Sequence, residues 1–159
     1  MTIEIETNHA LDTARSTAAE IVAMLEALEV DYNRLDEFQD TDDHDLTDQD
    51  REDWAELSDL ANGNESEDQA REALQEHALS VEVRSSWDIV GGDTDAAEFK
   101  ILICTGGPAV RVMGELDHHG QPCRAWLEYQ DWGTPWTQYF DVSQATLIAY
   151  AQSHYFEER

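Results

Sequence analysis

Apolar residues recur at alternating steps of three and four from Leu11 through Ala14, Ala18, Ile21, Leu25, Leu28 and Tyr32 to Leu35. That spacing marks one face of an α-helix, sustained for more than three heptads, and Thr7 or Asn8 supplies an N-cap. It predicts one long helix over 9–38, about 45 Å at 1.5 Å per residue. The seam is narrow, with alanine toward its start, so it requires a close helical partner. That partner lies within the chain or, failing that, in a second copy through a homodimer seam of Leu11, Ala14, Ala18, Ile21, Leu25 and Leu28. Two shorter helical patterns follow. Thr47 with Asp50 makes a variant capping box ahead of Trp54, Leu57, Leu60 and Ala61, with Gly63 as the stop. Ser66 with Gln69 makes a second ahead of Ala70, Ala73, Leu74 and His77.

Beyond residue 80 the period changes from helical to alternating. Strands are expected at 80–84, 99–104, 109–116 and 124–130, with a short fifth at 137–140. The links 105–108 (TGGP) and 117–122 (DHHGQP) fit hairpin turns, which makes the later strands an antiparallel meander. The stretch VGGD begins a looser loop, and WGTPW interrupts the alternation. Asp141 with Gln144 caps a last helix whose apolar positions include Val142, Ala145, Ile148, Ala149 and Tyr155. The predicted class is α+β. An N-terminal helical segment of one long and two short helices (1–79) precedes a small antiparallel sheet of four or five strands with a C-terminal helix (80–159), the two forming one composite domain. There is no internal repeat.

Charge changes the picture more than composition does. Of 159 residues, 41% are apolar, enough for a core, but 36 acids stand against 9 bases, a net −27. Lys100 is the only lysine. Residues 1–80 hold 24 acids and 4 bases, and residues 81–159 hold 12 and 5, so the halves carry −20 and −7. This balance excludes gripping nucleic-acid phosphates or an anionic membrane through basic patches of the chain's own. No apolar run nears the roughly 20 residues a membrane span needs. The opening MTIEIETNHALD has no secretory pattern, and Cys104 and Cys123 are too few for a disulfide framework. A cytoplasmic protein with free thiols is expected, one that neither binds nucleic acid directly nor associates with membranes.

The densest acid lies at 40–53, where eight of fourteen residues are carboxylates: Asp40, Asp42, Asp43, Asp45, Asp48, Asp50, Glu52 and Asp53. Glu26, Glu29, Asp36, Glu37 and Asp40 project from one side of the long helix or near its end. Helical residues three and four apart stand about 5–6 Å from each other, and duplex DNA carries about one charge per 1.7 Å of axis. Carboxylates presented this way occupy a DNA-binding cleft as phosphates would. Two plainer readings compete: acid for solubility alone, and halophilic adaptation. Halophily spreads acid over a whole surface, which the −20/−7 asymmetry opposes.

Other chemistry is thin. The acidic run fits no calcium-loop register, since starting from Asp40 puts Arg51 at position twelve and starting from Asp43 puts Trp54 there. Cys104, His118, His119 and Cys123 lack the paired spacing of a zinc site. The stretch TGGPAVR is not a phosphate loop, because it opens a strand and lacks GxxxxGK[ST]. No catalytic constellation is recognisable, and no metal or other cofactor is expected. The aromatic series Trp126, Tyr129, Trp132, Trp136, Tyr139 and Phe140 is either core or, through Trp126, Trp132 and Trp136, a second contact surface. One sheet face packs on the C-terminal helix, and the other must be covered by the acidic helices or by a partner.

The stretches SVEVRSSW, ILICTGGPAVRVMGEL, AWLEYQDWGTPWTQYF and LEVDYNRLDEF resemble a family of small acidic, functionally unassigned proteins encoded on phages, plasmids and integrative elements of proteobacteria. The resemblance spans most of the chain and supplies no catalytic residues. It implies an accessory gene of mobile DNA, a setting in which inhibitors of host defence are common. Two readings are therefore carried forward. The first is a non-enzymatic DNA mimic that binds a host DNA-binding protein or defence complex. The second is an acidic adaptor that binds a protein through the aromatic sheet face.

Overall fold

The computed structural model describes residues 8–92 and 94–156. Asn8 caps the first helix, α1 (His9–Leu28), by accepting from the Leu11 N–H at 3.0 Å. Thr7, the other cap candidate, lies outside the described residues. The helix does not continue to residue 38. The expected single rod is two helices, α1 and α2 (Tyr32–Asp40), separated at Glu29, Val30 and Asp31. Asp31 accepts from the Arg34 N–H at 3.0 Å and starts the new helix. The Glu29 N–H turns back to the Glu26 carbonyl at 3.0 Å. The Tyr32 hydroxyl donates to the Ala27 carbonyl at 2.7 Å, satisfying an acceptor that a helix end leaves open.

A 3₁₀ turn (Asp43–Asp45) leads to α3 (Asp48–Leu60), which carries both halves of the expected Thr47–Asp50 capping box. Gly63, at φ +82° after Asn62 at +52°, takes the left-handed turn that follows α3. In α4 (Glu67–His77), Ser66 accepts from the Gln69 N–H, while the Gln69 side chain reaches back to the Glu65 N–H, one residue beyond the usual box.

Five strands follow: β1 (Ser80–Ser85), β2 (Ala96–Cys104), β3 (Ala109–Leu116), β4 (Pro122–Gln130) and β5 (Thr137–Tyr139). They pair antiparallel in sequence order, a meander with β1 and β5 at its edges. The last helix, α5 (Gln144–Gln152), is capped by Ser143, not Asp141: the Ser143 hydroxyl accepts from the Thr146 N–H at 3.1 Å. Its inward face runs through Leu147, Tyr150 and Ala151, with His154 buried just past its end, and Ala145 and, beyond the helix, Tyr155 are exposed. The helix is apolar around most of its circumference, so periodicity alone does not choose the buried side.

One face of the sheet holds the core. Phe99, Ile101, Val110, Val112, Ala125 and Leu127 meet Ala14, Ala18 and Ile21 of α1, Leu74 of α4, and Leu147, Tyr150 and Ala151 of α5. Each fully buried Ile, Leu or Phe here contributes about 1.5–3 kcal/mol. The seam expected on α1 is thereby satisfied within the chain. Ala14, Ala18 and Ile21 are buried, and Leu11, Leu25 and Leu28, half-buried, pack against the same cluster, so the seam finds its helical partner within the chain. Alanine at its N-terminal end allows that close approach. α1 and α4 therefore share one core with the sheet. Only the α2–α3 pair has a small core of its own, in which Val30, Leu35 and Ala61 meet Tyr32, Trp54 and Leu57.

The three core helices also share a polar joint. The Tyr150 hydroxyl lies 2.9 Å from His77 Nδ1, and His77 Nε2 lies 3.3 Å from Glu20. Burial pushes the Tyr150 phenol far above its ordinary range, so it keeps its proton. His154 contacts the Tyr150 ring edge-on and places Nδ1 3.1 Å from the Tyr150 carbonyl. Among the described residues, no helix is long and apolar enough to cross a membrane.

Two outcomes test this packing. A Cβ at Gly114 lies 2.2 Å from the Arg124 carbonyl oxygen and 2.2 Å from the Phe99 ring. Gly114→Ala is therefore expected to cost about 3 kcal/mol, read as a lowered Tm. Burial lowers the His154 pKa, with His77 opposing its protonation as well. The folded state thus prefers neutral imidazole. The stability from keeping His154 neutral is complete above the unfolded value of about 6.5 and is lost as pH falls toward the lower folded one. Thermal unfolding is expected to weaken over that window, and His154→Gln to flatten the dependence.

Candidate functional site

Two surfaces carry the residues that the sequence offers for contact: the acidic helices and the sheet face away from the core. Between residues 26 and 60, fifteen acids and two arginines leave −13 on 35 residues. Ten of the twelve expected phosphate-mimicking carboxylates are exposed: Glu26, Glu29, Asp36, Glu37, Asp40, Asp42, Asp43, Asp45, Asp48 and Glu52. Asp50 and Asp53 are half-buried. The break at Val30 puts Glu26 and Glu29 at the end of α1, and Asp36, Glu37 and Asp40 on α2. They do not lie along one straight helix as expected.

Both arginines act as braces within the acid. Arg34 bonds Glu37 at 3.2 Å and Asp50 at 3.3 Å, tying α2 to α3, and lies 4.3 Å from the Phe38 ring centroid. Phe38 in turn stacks on Trp54 at 6.3 Å. Arg51 bonds the Asp43 carbonyl at 2.6 Å and the Asp48 carboxylate at 3.4 Å, holding the 3₁₀ turn against α3. Asp50 accepts from the Thr47 hydroxyl at 2.6 Å and the Thr47 N–H at 2.9 Å. These bonds, led by the hydroxyl, hold its pKa below the usual carboxylate range. Glu26, Glu29, Asp36, Asp40, Asp42, Glu52 and Asp53 pair with no cation among the described residues. Asp42, His44 and Asp45 bring potential ligand atoms within 4.8 Å of one another, all of them exposed.

The opposite face of the sheet is not covered by the acidic helices, because α1 and α5 both pack on the core side of β3 and β4. The face instead carries four cross-strand ion pairs. These are Glu82–Lys100 at 2.6 Å, Arg84–Glu98 at 2.8 Å, Arg124–Glu115 at 3.1 Å and Arg111–Glu128 at 3.2 Å. Arg111 and Glu128 are the most enclosed pair, with Arg111 3.9 Å from the Trp136 ring centroid. Such a stack is worth about 0.5–2 kcal/mol. Trp126 and Met113, directly opposite each other, are half-buried beside these charges. Trp132, by contrast, stands exposed in the β4–β5 link. The three tryptophans thus divide: Trp136 serves the ladder, Trp126 lies in the face, and Trp132 projects beyond it. Tyr139 is buried in the core, and Tyr129 packs against it.

The remaining chemistry stays dispersed. Cys104 lies beside the start of β3 and Cys123 beside its end, so the Cys/His set is spread along a strand about 20 Å long. Burial pushes the Cys104 thiol up. Asp117 organises the β3–β4 turn by accepting from the His119 and Gln121 N–H groups at 2.8 and 3.0 Å. Sequence reading did not find the Glu20–His77–Tyr150 joint, whose members lie far apart in the chain. Of the β1–β2 link it expected the loop at VGGD, and not that Trp87, Ile89 and Val90 stand out in solvent there. The ion-pair ladder did leave a signal, namely charges two residues apart in β1 and β2.

The Asp50 cap makes a test of order in the acidic lobe. Its depressed pKa supplies stability that is present above the unfolded value of about 3.9 and disappears as pH falls through the lower folded one. Asp50→Ala is expected to speed amide exchange in the first turn of α3 at neutral pH and leave the sheet unchanged. Comparison with protein-family models, with curated proteins and with solved structures finds no match.

Proposed function

We propose that this chain is a non-enzymatic DNA mimic from a mobile genetic element. It acts in the host cytoplasm and blocks a DNA-binding defence protein, such as a restriction enzyme or a CRISPR effector complex. The observation that carries this reading is the state of the carboxylates on α1, α2 and α3. Most are exposed, and Glu26, Glu29, Asp36, Asp40, Glu52 and Asp53 pair with no described cation, yet they project from helices fixed by caps, by two arginine braces and by small apolar and aromatic contacts. Charges held in place before binding cost less ordering entropy than charges on a flexible tail. A positive cleft built for phosphates then gains the same counterion release from the protein as from DNA.

A second reading follows from the uncovered sheet face. There, Trp126 and Trp132 offer aromatic contact to a protein partner without mimicry. The two readings separate cleanly. Under mimicry, affinity for a DNA-processing enzyme falls about a thousandfold between about 50 and 200 mM salt, and duplex DNA competes for the site. Reversing Asp36, Asp40, Asp42 and Glu52 to lysine spares the Arg34 and Arg51 braces and is expected to abolish inhibition, while Trp126→Ala and Trp132→Ala leave it intact. Inhibition that survives the reversals and fails with the tryptophan variants would establish the adaptor reading instead.

A further inference from the structure

β1 is the end strand of the sheet, and no described strand pairs with its outer side. A free strand edge is a template for another strand, and proteins guard such edges with proline, lysine or a bulge. β1 has no proline, lysine or bulge, and its two charges, Glu82 and Arg84, are of opposite sign, so they can match those of a second strand. Its sequence is Ser80-Val81-Glu82-Val83-Arg84-Ser85, and the irregularity at its far end belongs to β2. There Arg84 faces Glu98 while Ser85 faces Ala96, leaving Ala97 as the extra residue.

We propose that β1 pairs antiparallel with β1 of a second copy, about a twofold axis through Val83, to form one ten-stranded sheet. Parity and charge select that register. Directly opposed residues in an antiparallel pair share a face, so the symmetric pairing must centre on a residue. Centring on Glu82 sets two carboxylates against each other, and centring on Arg84 sets two guanidiniums. Centring on Val83 sets Glu82 against the partner's Arg84, and symmetry repeats the contact. The pairs already present within the chain extend this pattern. Across the junction, one row reads Lys100, Glu82, the partner's Arg84 and the partner's Glu98, with signs alternating throughout.

The same register brings Leu79 opposite the partner's Trp87. Leu79 is 62% exposed and Trp87 fully so in the single chain; they flank β1 at Ser80–Ser85, an even number of residues from Val83. The edge also belongs to the half of the chain that carries −7. Two acidic molecules thus meet through their least acidic part, while the α2–α3 lobe packs on α1.

The test reads oligomeric state without any target, so it stands apart from the mimicry reading. Sedimentation equilibrium of the full chain is expected to show a monomer–dimer equilibrium in the micromolar range. Glu82→Arg with Lys100→Glu keeps the in-chain pair but places like charges across the axis. Arg84→Glu with Glu98→Arg does the same with the opposite sign. Each double variant is expected to be monomeric and folded by circular dichroism, and an equimolar mixture to recover the dimer. A native chain that stays monomeric, double variants that still dimerise, or folded variants whose mixture stays monomeric each overturns the pairing.

Discussion

Repulsion among carboxylates is the constraint on which the helical lobe is built. Fifteen of them within 35 residues favour an extended chain, and the apolar material available to oppose this is small. What opposes it is local. Thr47 and Asp50 close α3 on itself, Asp31 opens α2 against the end of α1, and Tyr32 seals the last turn of α1. Phe38 and Trp54 then give the two short helices a common stack. Each contribution is of the size of a single cap or aromatic contact, and they act together because they bear on one short segment. The lobe is anchored through α1, whose seam is inserted between the sheet and α4.

The sheet half follows the opposite electrostatic rule. Its four described bases each face a glutamate on a neighbouring strand, so the outer face is a mosaic of both signs. Exposed pairs of this kind contribute little stability individually. Arg111 and Glu128 differ because both are enclosed and Trp136 lies beneath the guanidinium. The molecule therefore keeps two chemistries apart: acid in large excess over base on helices, and matched charge on strands. A partner attracted to one has no electrostatic reason to approach the other.

The strands were legible to within three residues, because short Gly- and Pro-containing turns bracket clear alternation: 109–116 coincides with β3, while β2 begins at Ala96 and not 99, and β4 at Pro122 and not 124. The caps at Asn8, Thr47 and Ser66 were legible for the same reason: a side chain bonds to a backbone group three residues away. The break at Val30 was not. Tyr32 and Leu35 continue the α1 spacing, but they serve the small α2–α3 core, and a period cannot tell one core from another. The buried side of α5 was also hidden, since apolar residues lie all around it. The acidic site was legible as composition and became a surface only with the fold, which divides Glu26 and Glu29 from Asp36 and Glu37 by a turn. Trp136 resembled a contact residue, and its role beneath Arg111 needed the pairing of β3 with β4 to become visible.

The near-absence of lysine has its own consequence. The braces in the acidic lobe are arginines, and Arg34 uses two different nitrogens to reach Glu37 and Asp50 on separate helices. A planar guanidinium suits such bridging, whereas an ammonium is a point charge. Acetylation acts on lysine amines and erases their charge. Lys100, far from the lobe on β2, is the one side chain it could touch. The charge displayed by α1, α2 and α3 is therefore insulated from lysine acetylation.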